Sequence, residues 1–291
     1  MAARQASDGG GKAFRHVSEA LRSRLVDGTY QLGAELPTQG ELAKEFSVSR
    51  DTVQRVMREL GNEGWIESRQ GSRARVVKVL QRVQSTTARA TRSRQVMMLG
   101  PLISEAFEQP EVSLDVFTLT SESLDTHIRL QAERIRARAI APGSIKVRLL
   151  LPDPELDLPY PVVRQDPSDH RLRERLHGIT ERHTESLSAA LRDLQADKFV
   201  PHVDVQIKHV RLVPTFKLYI INQAEVLHGL YEVIGRNIIL DTGEEIDALD
   251  VLGLGATLTH HVEDTDPDSP GSVFVQKMRA WFDSVWDVLA G

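Results

Sequence analysis

Phe14, Val17, Leu21 and Leu25 share one face of a 3.6-residue helix, and Gly28 follows as a stop signal, so the pattern predicts a helix over 13–27. Thr38 and Glu41 have the spacing of a capping box, and Leu42, Ala43 and Phe46 give the next helix an inward face. Ser47-Val48 turns the chain. Ser49 is placed to cap a third helix whose buried stripe is Val53, Val56, Met57 and Leu60. That stripe leaves Arg50, Asp51, Gln54, Arg55 and Arg58 facing outward. After Gly64, residues 65–68 and 73–79 alternate as a hairpin with Gln70-Gly71 at its tip. Helix, turn, helix and hairpin in this order are a winged helix-turn-helix, a layout that sets one helix in the major groove of DNA.

Beyond position 79 the periodicity changes. Residues 80–110 read as a linker, polar and basic to Arg94, then more apolar, with a helix interrupted near Gly100-Pro101. Strands are predicted at 112–119 and 145–151, the second apolar throughout and so buried on both faces. A helix at 120–141 lies between them. Residues 152–167 carry five prolines and read as a long loop. A helix follows at 170–196, striped by Leu172, Leu176, Ile179, Leu187, Leu191 and Leu194. Further strands are expected at 203–213, 216–221, 225–232, 237–240 and 251–258. A last amphipathic helix over 272–289 carries Trp281, Phe282 and Trp286, either as core or as a dimer surface. Strands alternating with helices give an α/β domain over 111–291.

Charge sharpens this division. The net charge of the 291 residues is −5, but residues 1–94 carry +7 and residues 95–291 carry −12. A basic head on an acidic body suits a partner rich in phosphate. The chain has no cysteine, which excludes disulfides, thiolate metal sites and cysteine nucleophiles. No apolar run approaches the length of a membrane span. Residues 1–12 read as a flexible tail without an apolar signal core, so a cytoplasmic protein is expected. The ten histidines show no metal-ligand spacing: His177 and His183 do not share a helix face well, and His260-His261 would point to opposite sides of a strand. No phosphate-binding loop, dinucleotide glycine pattern or nucleophile elbow is present, and no metal or cofactor is expected.

Several segments of the head resemble the GntR family of bacterial transcription regulators. They are Leu36-Pro37, Glu41-Leu42-Ala43, Val48 to Val53, Arg58-Glu59-Leu60, Glu63-Gly64 and Arg69-Gln70-Gly71. The resemblance covers residues 13–79 and implies DNA contacts from Ser49, Arg50 and Thr52, with Gly71 as the wing glycine. Thr38, Asp51, Gln54, Arg55, Arg69, Gln70 and Arg73 complete the expected DNA-binding set. Two positions depart from the family pattern. Gly40 and Gln54 stand where arginines are usual, which implies a changed operator, because Gln suits adenine and Arg suits guanine.

The segment Thr215 to Asn222 is similar to a degenerate motif of phospholipase-D-like domains. In that superfamily a strand carries His, then Lys two residues on, then Asp five residues later; here the positions hold Thr215, Lys217 and Asn222. The resemblance spans roughly 112–289 and implies a catalytically inactive domain, since Thr cannot take the place of a nucleophilic imidazole. Lys217 would then hold an anionic group as a fixed charge, with Thr215 and Asn222 as its companions.

The expected protein is therefore an α+β winged helix-turn-helix joined to an α/β, phospholipase-D-like domain. It would be a transcription regulator, a repressor, that binds double-stranded operator DNA as a homodimer. A small-molecule effector, phosphorylated or nucleotide-like, would control it. A phosphodiesterase with a DNA-binding head and a DNA-bound scaffold for a protein partner are the alternatives. The effector, the operator and the sign of regulation are not written in the sequence.

Overall fold

The computed structural model describes residues 33–62, 65–67, 73–76, 82–85, 97–240, 242–253 and 258–291, together with parts of 13–30. By contacts the chain divides into two compact units, 1–80 with Ile238–Ile246 and Gln81–Asn237 with Asp247–Gly291.

In the first unit the described residues between 13 and 25 are helical (α1). Helix α2, Gln39–Glu45, and helix α3, Arg50–Asn62, follow the predicted stripes. Val17, Leu21, Leu25, Leu42, Val53, Val56 and Leu60 are all fully buried, so three helix faces close on one small core. Trp65 enters the same core just before β1, Ile66–Glu67, which pairs antiparallel with β2, Arg75–Val76. The preceding chain adds a further edge: Leu36 N–H donates to Ala74 O at 2.8 Å and Gly33 N–H to Val76 O at 2.8 Å. Gly33 sits at φ +81°, a left-handed conformation that glycine adopts without a Cβ penalty.

The second unit is built on an eight-stranded mixed sheet. Its order is β4 (Met97–Met98), β3 (Arg82–Ser85), β13 (Leu258–Val262), β10 (Glu225–Leu230), β9 (Phe216–Ile221), β5 (Glu111–Phe117), β6 (Ser144–Pro152) and β8 (His202–Val210). Strands β5, β6 and β8 run parallel, as two β-α-β crossovers through α5 (Glu122–Arg136) and α6 (Arg171–Ala196) require. Side chains alternate between two layers. Val112, Leu114, Val116, Val147, Leu149, Tyr219 and Ile221 face α5, α6 and α4 (Leu99–Phe107). Phe117, Leu150, Leu218, Ile220 and Val226 face α7 (Pro270–Val288). The central strands are covered on both sides, which is why β6 reads as an unbroken apolar run.

Some elements differ from expectation. Within 80–110, read as a linker, β3 and β4 join the sheet edge and α4 packs on the core. The helix is not interrupted at Gly100-Pro101. It begins at Leu99, and Pro101 falls in its first turn, where a missing N–H costs no hydrogen bond. The region after β10 holds strands whose limits the pattern misplaced. β11 (Glu232–Ile239) and β12 (Glu245–Leu252) form a separate three-stranded sheet with β7 (Val162–Val163), which lies in the proline-rich loop. Of the expected strand at 251–258, residues 251–252 end β12 and 258 begins β13, and 254–257 lie outside the described residues. His260 and His261 do point to opposite faces of β13. His260 is buried and meets Glu225 at 2.6 Å, while His261 stacks on Phe274 with ring centroids 3.9 Å apart.

Candidate nucleic-acid interface

The reading helix is set by local hydrogen bonds before any packing. Thr38 N–H donates to Glu41 Oε2 at 2.7 Å, and Glu41 N–H donates to Thr38 Oγ1 at 3.3 Å, so the capping box forms as the spacing predicts. The Thr38 backbone N–H above all, then the Thr38 hydroxyl, holds the Glu41 carboxyl below the usual carboxylate range. Ser47 turns the chain at φ 54°. Ser49 Oγ then accepts from Thr52 N–H at 3.1 Å and caps α3.

The structure divides the expected DNA contacts by exposure. Thr38, Ser49, Arg50, Asp51, Gln54, Arg55 and Arg73 are exposed. Arg50, Asp51, Gln54 and Arg55 lie in the first two turns of α3, opposite the buried stripe, where side chains reach base edges. Thr52 is different. It is buried, with 8% exposure, and its Oγ1 lies 2.9 Å from Ser49 Oγ, so it braces the cap and presents no side chain to solvent. Arg55 lies over the Phe14 ring, 5.0 Å from its centroid, which ties α3 to α1 through a cation–π contact. Arg69, Gln70 and Gly71 lie outside the described residues.

Gly40 has a physical role that the family comparison alone does not give. A Cβ there would lie 3.1 Å from Arg50 Nη2. The guanidinium of Arg50 thus lies beside Gly40, and a side chain there would need it to shift by a few tenths of an ångström.

In the second unit Thr215, Lys217 and Asn222 are not brought together. Thr215 is exposed just before β9, and its carbonyl accepts from Tyr231 N–H at 3.0 Å. Lys217 is 3% exposed; its ammonium donates to Gly253 O and lies 5.3 Å from the Tyr231 ring centroid. Asn222 lies beyond the other end of β9, roughly 16 Å along an extended strand from Lys217. Its Oδ1 accepts from Ser113 N–H at 2.9 Å in a left-handed turn at φ 47°.

A cleft of about 270 Å³ lies elsewhere in this unit. It opens at the C-terminal ends of β5, β6 and β8, between the first half of α6 and the loop after β6. This is where open α/β sheets place ligands. Sequence reasoning missed it, although one signal was present. The α6 stripe includes Leu176 and Ile179, but Thr180 and Thr184 share that side of the helix, a polar interruption in a face expected to be core. Among the described residues no group of three or more His, Cys, Asp or Glu could hold a metal ion, and no helix is long and apolar enough to cross a membrane.

Comparison with known proteins agrees with the head. Residues 14–76 match the bacterial regulatory proteins of the gntR family. The chain is 34% identical over 59 residues to an arabinose metabolism transcriptional repressor of Halalkalibacterium halodurans, covering 20% of this chain and 16% of that protein. It is 37% identical over 59 residues to the mannosyl-D-glycerate transport/metabolism system repressor of Escherichia coli, covering 20% and 25%. An Exu regulon transcriptional regulator of Escherichia coli is 27% identical over 128 residues, covering 44% and 48%. Each match spans less than half of the relative's length. The N-terminal unit is thus a GntR-type winged helix-turn-helix DNA-binding domain, followed by a mixed α/β unit.

Proposed function

We propose that the chain is a transcription regulator, a repressor, that reads operator DNA through α3 and is switched by a small molecule held in its α/β unit. One observation carries the reading: the capped N-terminal turns of α3 display Arg50, Asp51, Gln54 and Arg55 while the opposite face is fully buried. Two of the relatives named above are repressors, of an arabinose and a mannosyl-D-glycerate system, which supports the sign of regulation. Residues 13–79 form the reader, and the α/β unit, with β3, β4 and α4 built into its sheet and core, is the sensing and dimerising part. The protein acts as a homodimer, since one recognition helix covers one half-site. It works in the cytoplasm, where its DNA is.

The α/β unit binds and does not catalyse. At the three positions compared with phospholipase-D-like domains, Thr215 offers no imidazole nucleophile, Asn222 no carboxylate, and the Lys217 ammonium is turned to a backbone carbonyl. An effector controls DNA binding only by binding the free and operator-bound states unequally.

The test is selection of the operator from random DNA by the full chain, followed by titration of Arg50→Ala on the selected site. Arg50→Ala costs about 1–3 kcal/mol of operator affinity and relaxes the preference at one base pair per half-site. Unchanged affinity and an unchanged preference would remove Arg50 from the contacts.

A further inference from the structure

We propose that the cleft at the C-terminal ends of β5, β6 and β8 is the ligand site of the α/β unit. Its ligand is a compact apolar molecule with one hydrogen-bonding group, an alcohol or a carbonyl, and not a sugar or a phosphate ester. Its role as effector rests on the regulator reading above; its ability to bind does not.

The first argument is an apolar stripe that does not finish its packing. Along α6, Leu172 is 1% exposed, and Leu187, Leu191 and Leu194 are fully buried. Leu176 belongs to the same stripe but stays only half-buried, at the wall of the cleft. Apolar area left at the wall of a concave site is stabilised when an apolar ligand covers it. Of the other leucines that line the cleft, Leu156 is likewise half-buried, while Leu119, Leu151 and Leu158 are buried and complete its apolar lining.

The second argument is the polar content. Thr180 Oγ1 donates to Leu176 O at 2.9 Å, and Thr184 Oγ1 lies 2.9 Å from Ser121 Oγ. Both hydroxyl oxygens retain acceptor capacity, and Thr184 can instead turn its proton towards a ligand. This serves one alcohol or carbonyl. A sugar's four or five hydroxyls would find further partners only in the charged and imidazole groups of the lining, of which His177, Glu181, Glu185 and His209 are exposed and bond water instead.

The third argument is charge. Arg173 and two histidines, His177 and His209, border the cleft, but so do Asp153, Glu181 and Glu185. Arg173 is moreover paired with Asp157. A phosphate dianion would meet three carboxylates in a cleft that offers one arginine already engaged. Fixed charges of mixed sign do not select for an anion.

The sugar-related names of the relatives do not argue otherwise. The two repressors named for arabinose and mannosyl-D-glycerate match 59 residues each, a length that fits the DNA-binding head and not the cleft.

The test uses the full chain and 1-aminoanthracene, a neutral aromatic probe whose emission rises in apolar surroundings. We expect saturable binding of one probe per chain, displaced by 1-decanol and not by glucose 6-phosphate. Thr180→Trp fills the cleft and Leu176→Glu charges its wall; each weakens the probe by about tenfold or more. Both positions are only half-buried, and a wild-type circular dichroism spectrum and thermal midpoint in each variant verify that it is folded. Undiminished probe binding in both variants overturns the site. Displacement by glucose 6-phosphate and not by 1-decanol overturns the ligand class, and a lack of saturable binding overturns both. Probe binding that behaves as expected in a chain that selects no operator supports the site and removes the regulator reading instead.

Discussion

At the scale of single residues, a few side chains do work that their sequence neighbourhoods do not announce. Arg50 packs beside Gly40, Thr52 supports the cap from inside, and Lys217 is folded into a buried contact with Gly253 and Tyr231. His127 on α5 is the clearest case. It is fully buried, and neither ring nitrogen has a hydrogen-bond partner among the described residues. Burial lowers its pKa from 6.5 to about 4. The unfolded chain therefore takes up a proton below pH 6.5 that the folded chain refuses until about pH 4. The stability linked to His127 is present above pH 6.5 and is lost as pH falls towards 4. Between pH 7 and 5 the loss is about 2 kcal/mol. His127→Leu removes that part of the slope and leaves the protein at pH 7 at least as stable, since no hydrogen bond is lost with the ring. Urea unfolding of both proteins at pH 7 and pH 5 measures it; an identical pH slope in the two would refute the assignment.

Elements were legible in the sequence where one pattern dominated. The head was read nearly residue by residue, because capping boxes, stripes and turn residues all act within four positions. Helices α5, α6 and α7 were found from their stripes. The strand pairing was not, because neighbours in the sheet come from far apart: β5 lies between β6 and β9, and β3 beside β13. Residues 82–85 read as linker because their short polar sequence carries no signal of the strand that receives them. The site residues divided the same way. The exposed face of α3 follows from its own stripe, while the cleft needs β5, β6, β8 and α6 together. The expected Thr215–Lys217–Asn222 grouping was drawn from spacing along one strand, and an extended strand separates what a loop or helix could gather.

Close packing between elements gives a prediction of its own. A Cβ on Gly271 would lie 2.5 Å from Val262 O, so the start of α7 meets the end of β13 at a distance only glycine permits. Gly271→Ala must move backbone and is expected to destabilise the second unit by about 1–3 kcal/mol. The neighbouring cap, Ser269 Oγ accepting from Ser272 N–H at 3.1 Å, is displaced with it. Thermal unfolding followed at Trp281 and Trp286 would show a lowered midpoint; an unchanged one would mean that α7 can slide without cost.

At the scale of the whole molecule, the charge difference between the two parts of the chain matches a division of labour. The basic head is drawn to phosphate, and the acidic remainder, at −12 over residues 95–291, is kept away from it. A homodimer built on this plan protects two half-sites about 10 base pairs apart, centre to centre. Footprinting on the selected operator should show two protected patches related by a two-fold axis; a single patch would point to a monomer.

The central claim is that α3 of this chain reads bases, and Gln54 allows the most direct test of it. Gln54 is exposed on the reading face, at the position where the GntR resemblance implies arginine in many members. Operators are selected from random DNA by the wild-type chain and by Gln54→Arg, and the two sets are compared. The account predicts that one position in each half-site changes from adenine to guanine, with the flanking bases unchanged. Identical operators from the two proteins would contradict it.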